Sequence, residues 1–305
     1  MVLSLSRVRQ KAEQRVLALM ARGRPDRARE IVELFKTHES SSVDELNFYG
    51  GLLLKSGELE RAKAVMELAV SKTDRASATS ELESLYWQIQ VPSEFWQIRG
   101  GAAAWYLLNS CEFKSVLDVG SGGGEQALQF AKCNKSVHCV DYGVSVYFQQ
   151  SSARAELEAM SSVRWSIGNF NEMVPTETYD LVWCSHILEH QPDANRFIRH
   201  CLSYLSDDGW LAITVPPLKH RVVGGHVSLW NAGLLLYQIV LAGNNCSEAI
   251  VMNYDYNISV LVRKKPIELP HLDFDTGDID RLKAFFPVGC EENFDGRMYG
   301  FMFPR

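Results

Sequence analysis

The order of apolar and polar positions changes character about a third of the way along the chain. Before that point apolar residues recur at three- and four-residue spacing over 12–20, 25–35, 43–55 and 58–71, the period of helices with one buried face. Part of this pattern repeats, because Gly23 with Ala28 returns as Gly57 with Ala62, 34 residues later. A polar stretch, 72–80, is expected to lead into two more helices, 81–90 and 93–109, separated at Pro92. Trp87, Phe95, Trp96 and Trp105 make this junction aromatic, which suits packing between domains first and an acceptor pocket second.

From residue 114 onward, β-branched runs at 115–119, 137–141, 163–167, 179–185 and 210–215 alternate with helical stretches. Such alternation predicts crossover units, hence an α/β fold with a doubly wound, mostly parallel sheet. Two further runs, 249–253 and 257–263, bring the expected sheet to seven strands, the last reversing at a turn over 253–256. Residues 266–305 show no clear period beyond a short helix at 278–286. The expected organisation is an all-α N-terminal domain over 1–90, an α/β domain over 91–265 and a C-terminal extension over 266–305.

With 305 residues, 46% of them hydrophobic, the chain can bury a sizeable core. Its net charge of −6 supplies no global field for a phosphate backbone, so no nucleic-acid partner is expected. Seven Cys, an odd number without a Cys-x-x-Cys pair, argue against a disulfide framework and a thiolate zinc site. The first residues hold no apolar core of signal-peptide length, and the run 233–243 is too short to span a bilayer, so a cytoplasmic protein without a transmembrane segment is expected.

The stretch with the most chemistry is Val116-Leu117-Asp118-Val119-Gly120-Ser121-Gly122-Gly123-Gly124-Glu125, a strand running into a glycine turn and then a helix. Bare backbone lets a ligand approach, and the N–H groups of the following helix suit an anionic group such as a methionyl carboxylate. A dinucleotide fingerprint would need its third glycine at Glu125; the pattern present is Asp118-x-Gly120-x-Gly122-x-Gly124. The next strand ends in Asp141-Tyr142, where a carboxylate can accept hydrogen bonds from two ribose hydroxyls, although a solvated turn aspartate has the same sequence.

This pattern resembles the first motif of class I S-adenosylmethionine-dependent methyltransferases, and later landmarks arrive in that family's order. Gly168-Asn169-Phe170 follows the third strand, with Asn169 where family members commonly carry an aspartate facing the adenine amino group. The fourth strand leads through Ser185-His186-Ile187-Leu188-Glu189-His190, a run similar to that of small-molecule methyltransferases including those that O-methylate quinone precursors. Asp208-Gly209-Trp210 and Val215-Pro216-Pro217 bracket the fifth strand as in the same group. The resemblance covers roughly 93–264 and implies a Rossmann-like fold. It also implies S-adenosylmethionine as cofactor, S-adenosylhomocysteine as product, and a cofactor site of Asp118, Gly120, Ser121, Gly122, Gly124, Asp141, Tyr142, Asn169, Phe170 and Ser185.

His186-x-x-Glu189-His190 also matches an inverted zincin pattern, but those residues follow a strand rather than filling a helix. No metal is therefore expected. The lesser alternative, implied by some quinone O-methyltransferases, is a divalent ion on His186, Glu189 and His190. Residues from about 217 to 248 are expected to cover the site, with Lys219, His220 and Arg221 suiting an anionic acceptor, although a solvated loop has the same composition. His226 is the first candidate for general base and His186 the second.

The acceptor expected from this reading is a hydroxyl of a sugar or glycan precursor, as in polysaccharide biosynthesis, with a quinone-like or other small metabolite as the alternative. In the N-terminal part, Gly50, Leu53, Gly57, Ala62 and Ala69 resemble the small and apolar positions of tetratricopeptide repeats, which would imply a protein partner; ordinary helical hairpins fit the same spacing. Two other classes stay open. One is an interaction scaffold with a degenerate α/β domain, and the other is a nicotinamide oxidoreductase.

Overall fold

The computed structural model describes residues 5–72, 88, 90–149, 151–298 and 300–302. The chain divides into two compact units, Met1–Gln90 and Val91–Arg305. The expected connection over 73–80, most of the helix 81–90, and Trp87 lie outside the described residues.

The first unit contains α1 (Leu5–Ala21), α2 (Pro25–Glu33), α3 (Val43–Lys55) and α4 (Leu59–Ser71). Pro25 opens α2, where its missing N–H costs nothing, and Ser42 with Glu45 forms a reciprocal capping box at the start of α3. The helices pack as two hairpins around Val16, Ala28, Val32, Leu52, Leu53 and Ala62. Gly23 and Gly57 both take left-handed φ, 65° and 80°, at the ends of α1 and α3, which explains the repeated spacing as two equivalent hairpin turns. Arg61 links the hairpins through Glu33 Oε1 and the Tyr49 hydroxyl, each 2.6 Å away.

The second unit begins with α5 (Ser93–Trp96) and α6 (Gly101–Ser110). A single helix over 93–109 was the expectation; the chain breaks it at Gly100, whose φ is 70°. The break lets Gly101 fold back onto the previous turn, so closely that a Cβ there would lie 1.9 Å from the Phe95 carbonyl oxygen. Within this unit Trp96 packs edge-on against Tyr254 at 5.6 Å and donates its indole N–H to the Val91 carbonyl.

The sheet then builds from β1 (Ser115–Val119), β2 (Ser136–Asp141), β3 (Val163–Ile167), β4 (Tyr179–Ser185), β5 (Leu205–Val215), β6 (Ile250–Tyr254) and β7 (Asn257–Arg263). It carries α7 (Glu125–Lys132), α8 (Val146–Gln149), α9 (Ser152–Glu158), α10 (Ala194–Ser203) and α11 (Ala232–Leu241). The strand order is β3-β2-β1-β4-β5-β7-β6, with β7 antiparallel between β5 and β6, the seven-stranded mixed sheet of the Rossmann-like methyltransferase architecture. An eighth strand, β8 (Gly300–Met302), pairs antiparallel with β6 and extends the sheet beyond the seven expected. That strand is too short for periodicity to reveal, and it covers an edge that would otherwise expose unpaired backbone.

The core lies on both faces of the central strands, and Trp183, Leu117, Val182 and Ile213 are at most 1% exposed. Residues 232–241, expected as part of the cover over the site, instead form α11, whose Leu235, Leu236, Ile239 and Val240 are fully buried. The exposed loop is therefore shorter, running from Pro217 to Trp230, which bridge to each other and close its neck. The extension includes α12 (Asp278–Leu282) and returns to α11 through the Gly296 carbonyl, which accepts the Gly233 N–H at 2.8 Å.

The steric demand at Gly101 gives a direct test. Gly101→Ala should lower stability by about 2 kcal/mol or more, since backbone rather than a mobile side chain must yield. Gly51→Ala, whose Cβ would meet only Lys55 Nζ at 4.0 Å, should be neutral or stabilising. Denaturant melts of both variants measure the contrast.

Candidate active site

The parallel strands end on one edge of the sheet, and β1 sits where the strand order reverses, with β2 on one side and β4 on the other. Chains leaving a sheet in opposite directions at such a point leave a crevice between them. Its floor is the turn after β1. Gly120, Gly122 and Gly124 have φ of 74°, 52° and 81°, and a Cβ on Gly120 would lie 2.9 Å from the side chain of Ile187. Only glycine satisfies both demands at Gly120. The turn delivers the chain into α7, whose N-cap, Gly124, has no side chain to cap the first N–H groups.

Asp141, at the tip of β2, fixes the crevice. One carboxylate oxygen accepts the Gly122 N–H at 2.9 Å and the other the Gly143 N–H at 2.8 Å. Each oxygen keeps a further lone pair for a ligand hydroxyl. Gly120, Asp141, Tyr142, Asn169 and Phe170 all line the crevice, with Val119, Gly168 and Ile187 supplying more of its wall. Asn169 accepts the Asn171 N–H and donates to Glu172, while Phe170 turns its ring inward onto Phe197 and Tyr204. Asn171 and Gln191, joined at 2.9 Å, also line the crevice. They carry no motif and were missed in the sequence.

Of the expected cofactor residues, Asp118, Ser121, Gly122, Gly124 and Ser185 do not form the crevice wall itself. Ser121 has its hydroxyl buried without a partner. Asp118 lies beneath the turn, 2% exposed, with Oδ2 unpartnered. Burial, with the nearby charge of Asp141 adding to it, lifts the Asp118 carboxyl from 3.8 to about 8. Ser185 ends β4, and its hydroxyl is 3.5 Å from the Arg99 carbonyl, which also accepts from Gln126 on α7. That carbonyl anchors Arg99, whose guanidinium lies 5.4 Å from the Tyr147 ring and close enough to His226 to lower its proton affinity. Arg99 was also missed, because a lone arginine before the first motif has no local signature.

On the far side of β4 the chain turns sharply at His186, which has φ 55°, and enters a single 3-10 turn, Leu188–His190. The ring of His186 is held by Asn257 Oδ1 at 3.0 Å and stacks on Tyr256 at 5.8 Å. Its other nitrogen lies 3.3 Å from Glu189, so this side chain is enclosed rather than presented to an acceptor. His226 takes the other course and lines a cavity of about 370 Å³ under the loop 217–230. Leu218, Val222, Val227 and Tyr256 face the same cavity, and Lys219 Nζ sits 3.8 Å above the Tyr256 ring. Burial lowers the His226 pKa, partly opposed by Glu189.

A glycine turn at the switch point, a carboxylate ending the next strand and the order β3-β2-β1-β4-β5-β7-β6 together define the class I methyltransferase architecture. The family described as a methyltransferase domain matches residues 67–238, more than half of the chain, and the chain belongs to it. It is a class I methyltransferase domain of the kind that uses S-adenosylmethionine. That match gives the tetratricopeptide resemblance of the first unit no support.

Among known proteins, the chain is similar to the ubiquinone biosynthesis O-methyltransferase of Bordetella avium, 30% identical over 110 residues, 34% of this chain and 44% of that protein. The protein of the same name from Hydrogenovibrio crunogenus is 28% identical over 136 residues, 40% of this chain and 55% of that one. The chain thus spans about half the length of the curated relatives it matches. A solved SAM dependent methyltransferase from Aquifex aeolicus is 15% identical, with a TM-score of 0.46 over 60% of this chain and 98% of that one.

The buried Asp118 has a measurable consequence. Its pKa is raised on folding, so between about pH 4 and pH 8 the unfolded chain gives up a proton that the folded chain keeps, and stability falls as pH rises through that window. Asp118→Asn should flatten this part of the stability profile and raise the unfolding midpoint at the alkaline end. An unchanged slope would show that Asp118 is already ionised in the folded protein.

Proposed function

We propose that the protein moves a methyl group from S-adenosylmethionine to the oxygen of a small, flat, phenol-like acceptor of the quinone-precursor type. The observation that carries the reading is the crevice in which Asp141 ties Gly122 to Gly143 and Gly120 admits no side chain. The residues fit the cofactor. Asp141 faces the ribose hydroxyls, Tyr142, Asn169 and Phe170 flank the adenine, and the backbone of the turn over 120–124, rather than the buried Ser121 hydroxyl, borders the methionyl part together with Ser185. Arg99 is suited to its carboxylate. Asp118 supports the turn from below.

S-adenosylmethionine supplies a methyl group activated on a sulfonium sulfur. The chain's own task is to align the acceptor oxygen with that methyl and to exclude water. The loop 217–230 and its cavity serve this purpose, with Tyr256 in the lining and the turn after β4 holding the Val227 N–H through the Glu189 carbonyl. A mostly apolar lining with an aromatic floor favours a ring over a sugar, which would ask for many more polar partners. Two relatives named for ubiquinone O-methylation support the same choice over the glycan precursor. A phenol, with a pKa near that of tyrosine at about 10, also needs less help to lose its proton than a sugar hydroxyl.

The proton leaves toward the cluster of Glu189, His190 and His226, whose last member lines the cavity. His186 holds Glu189 and the Asn257 hairpin in register and acts as a positioning residue. The first unit presents two helical hairpins suited to a protein partner, in keeping with an arrangement of domains over 1–90, 91–265 and 266–305.

Calorimetry with S-adenosylmethionine tests the foundation. Wild type should bind it, and Asp141→Ala should bind at least tenfold more weakly; no binding by the wild type would favour a scaffold with a degenerate domain. A panel of catechols, hydroquinols, nucleotide sugars and amines, read by release of S-adenosylhomocysteine, tests the acceptor. Turnover with catechols or hydroquinols but not with sugars is expected, and the reverse would overturn the acceptor class.

A further inference from the structure

The cavity under the loop 217–230 carries positive charge without a counter-charge in its wall. Lys219, His220 and Arg221 stand in the lining beside His226, and no Asp or Glu does. Glu189, which meets the loop through its backbone carbonyl, is 1% exposed and lies outside that lining. Asp255, next to Tyr256 in the chain, lies outside it too. Among the described residues neither Lys219 nor Arg221 has a carboxylate partner, and Lys219 Nζ rests instead 3.8 Å from the centre of the Tyr256 ring. An aromatic face is a weaker partner for an ammonium group than an anion is.

The remainder of the wall, with Leu218, Val227 and Leu229 in it, is mostly apolar, and the volume of about 370 Å³ is near the lower end of small-molecule sites, roughly 300–1,000 Å³. That space takes one ring with short substituents. A neutral ring would cover the apolar wall and leave the cations facing it without a counter-ion, whereas a ring bearing a carboxylate meets both demands. A phosphate ester, with nearly two charges and three acceptor oxygens, asks for more donors than this wall provides. The two halves of the cavity also differ in how they are mounted. Tyr256 belongs to the β6–β7 turn, whose Asn257 is bonded to Gly100 and His186, so the aromatic floor is fixed; Lys219 belongs to the exposed loop and brings the charge to it.

We propose that the acceptor is a small aromatic acid, a hydroxylated ring carrying a carboxylate, and that Lys219 is the specificity-determining residue that reads the carboxylate, with Arg221 adding to the positive field. The inference rests on the phenol-like acceptor proposed above and deepens it by naming the second group on the ring. The transfer it serves is unchanged: the phenolic oxygen forms a bond to the methyl carbon and its proton leaves toward His226, while S-adenosylhomocysteine keeps the electron pair of the broken sulfur–carbon bond. Lys219 takes no part in that step. Exchanging the Tyr256 face for a carboxylate gives its ammonium group a full counter-charge, so the gain falls on binding of the acid and on no uncharged ring of the same shape.

The test gives the full chain three catechols of similar size and different charge, bearing a carboxylate, a hydroxymethyl or an aminomethyl group. Initial rates with S-adenosylmethionine give kcat/KM for each, and calorimetry in excess S-adenosylhomocysteine gives each affinity without turnover. Wild type should favour the acid over the alcohol by about tenfold in kcat/KM, through KM, with the amine poorest. Lys219→Arg should keep that order, and Lys219→Glu should reverse it so that the amine overtakes the acid, an inversion that a merely structural role for Lys219 cannot produce. Equal kcat/KM for acid and alcohol in wild type, or the same order in Lys219→Glu as in wild type, would overturn the proposal. Should none of the three be methylated, the proposed transfer to phenols fails and the affinities decide this inference separately. The acid bound tightest by wild type but not by Lys219→Glu upholds it; equal affinities, or no binding of any of the three, overturn it. Retained S-adenosylhomocysteine binding by the variants shows that they fold.

Discussion

The structure of the second unit turns on one carboxylate. Asp141 ends β2, yet both its oxygens are engaged by backbone N–H groups of Gly122 and Gly143, which belong to different turns. Three consecutive strand ends depend on that clamp, since β1 pairs with β2 along its whole length and the Gly168 N–H on the β3 side returns to the Asp141 carbonyl. A glycine turn alone would be mobile, because glycine loses more conformational freedom on ordering than any other residue. Charge-assisted hydrogen bonds to a single anchored anion offset that loss. The same anion keeps lone pairs turned toward the crevice, so the group that holds the site open also meets the ligand.

The acceptor side rests on a second chain of contacts, from the β6–β7 hairpin rather than from the glycine turn. Asn257 receives both Gly100 and His186, and Tyr254 joins Ala103 to Ser259, which in turn reaches Thr214 on β5. The break before α6, the sharp turn after β4 and the strand beneath them are therefore tied by residues about 45 to 157 positions apart in the chain. Loop and cavity are mounted on that frame.

The central sheet was legible in the sequence because its strands are short β-branched runs bounded by turn residues; β1, β3, β4 and β7 begin and end where the pattern put them. The glycine turn and Asp141 were legible because backbone geometry leaves few residues able to serve there. The helix break at Gly100 was not, since Gly100-Gly101 followed by three alanines reads as a continuous helix until the fold requires α6 to change direction. The covering segment was overextended for a related reason: periodicity cannot tell a lid helix from the buried α11. Arg99, Asn171, Gln191 and Asn257 escaped because each acts through a partner distant in sequence. The Glu189 cluster was half visible, as His186, Glu189 and His190 share one motif while His226 arrives only with the folded loop.

His186 shows why the turn after β4 is built at a cost. It holds φ 55°, a region that disfavours any residue with a Cβ by about 1 kcal/mol, where glycine would be free of strain. Its N–H bonds to the Thr214 carbonyl at 2.8 Å, its ring bonds to Asn257, and Tyr256 stacks on it. Three contacts thus over-determine a strained residue whose own N–H groups are all spent on the scaffold. What the strain secures is direction. Turning the chain back at His186 drives Glu189 inward, where its oxygens make no hydrogen bond and the groups nearest to Oε1 are the rings of His186, at 3.3 Å, and His190, at 3.9 Å, so the carboxylate depends on this turn for any compensating charge.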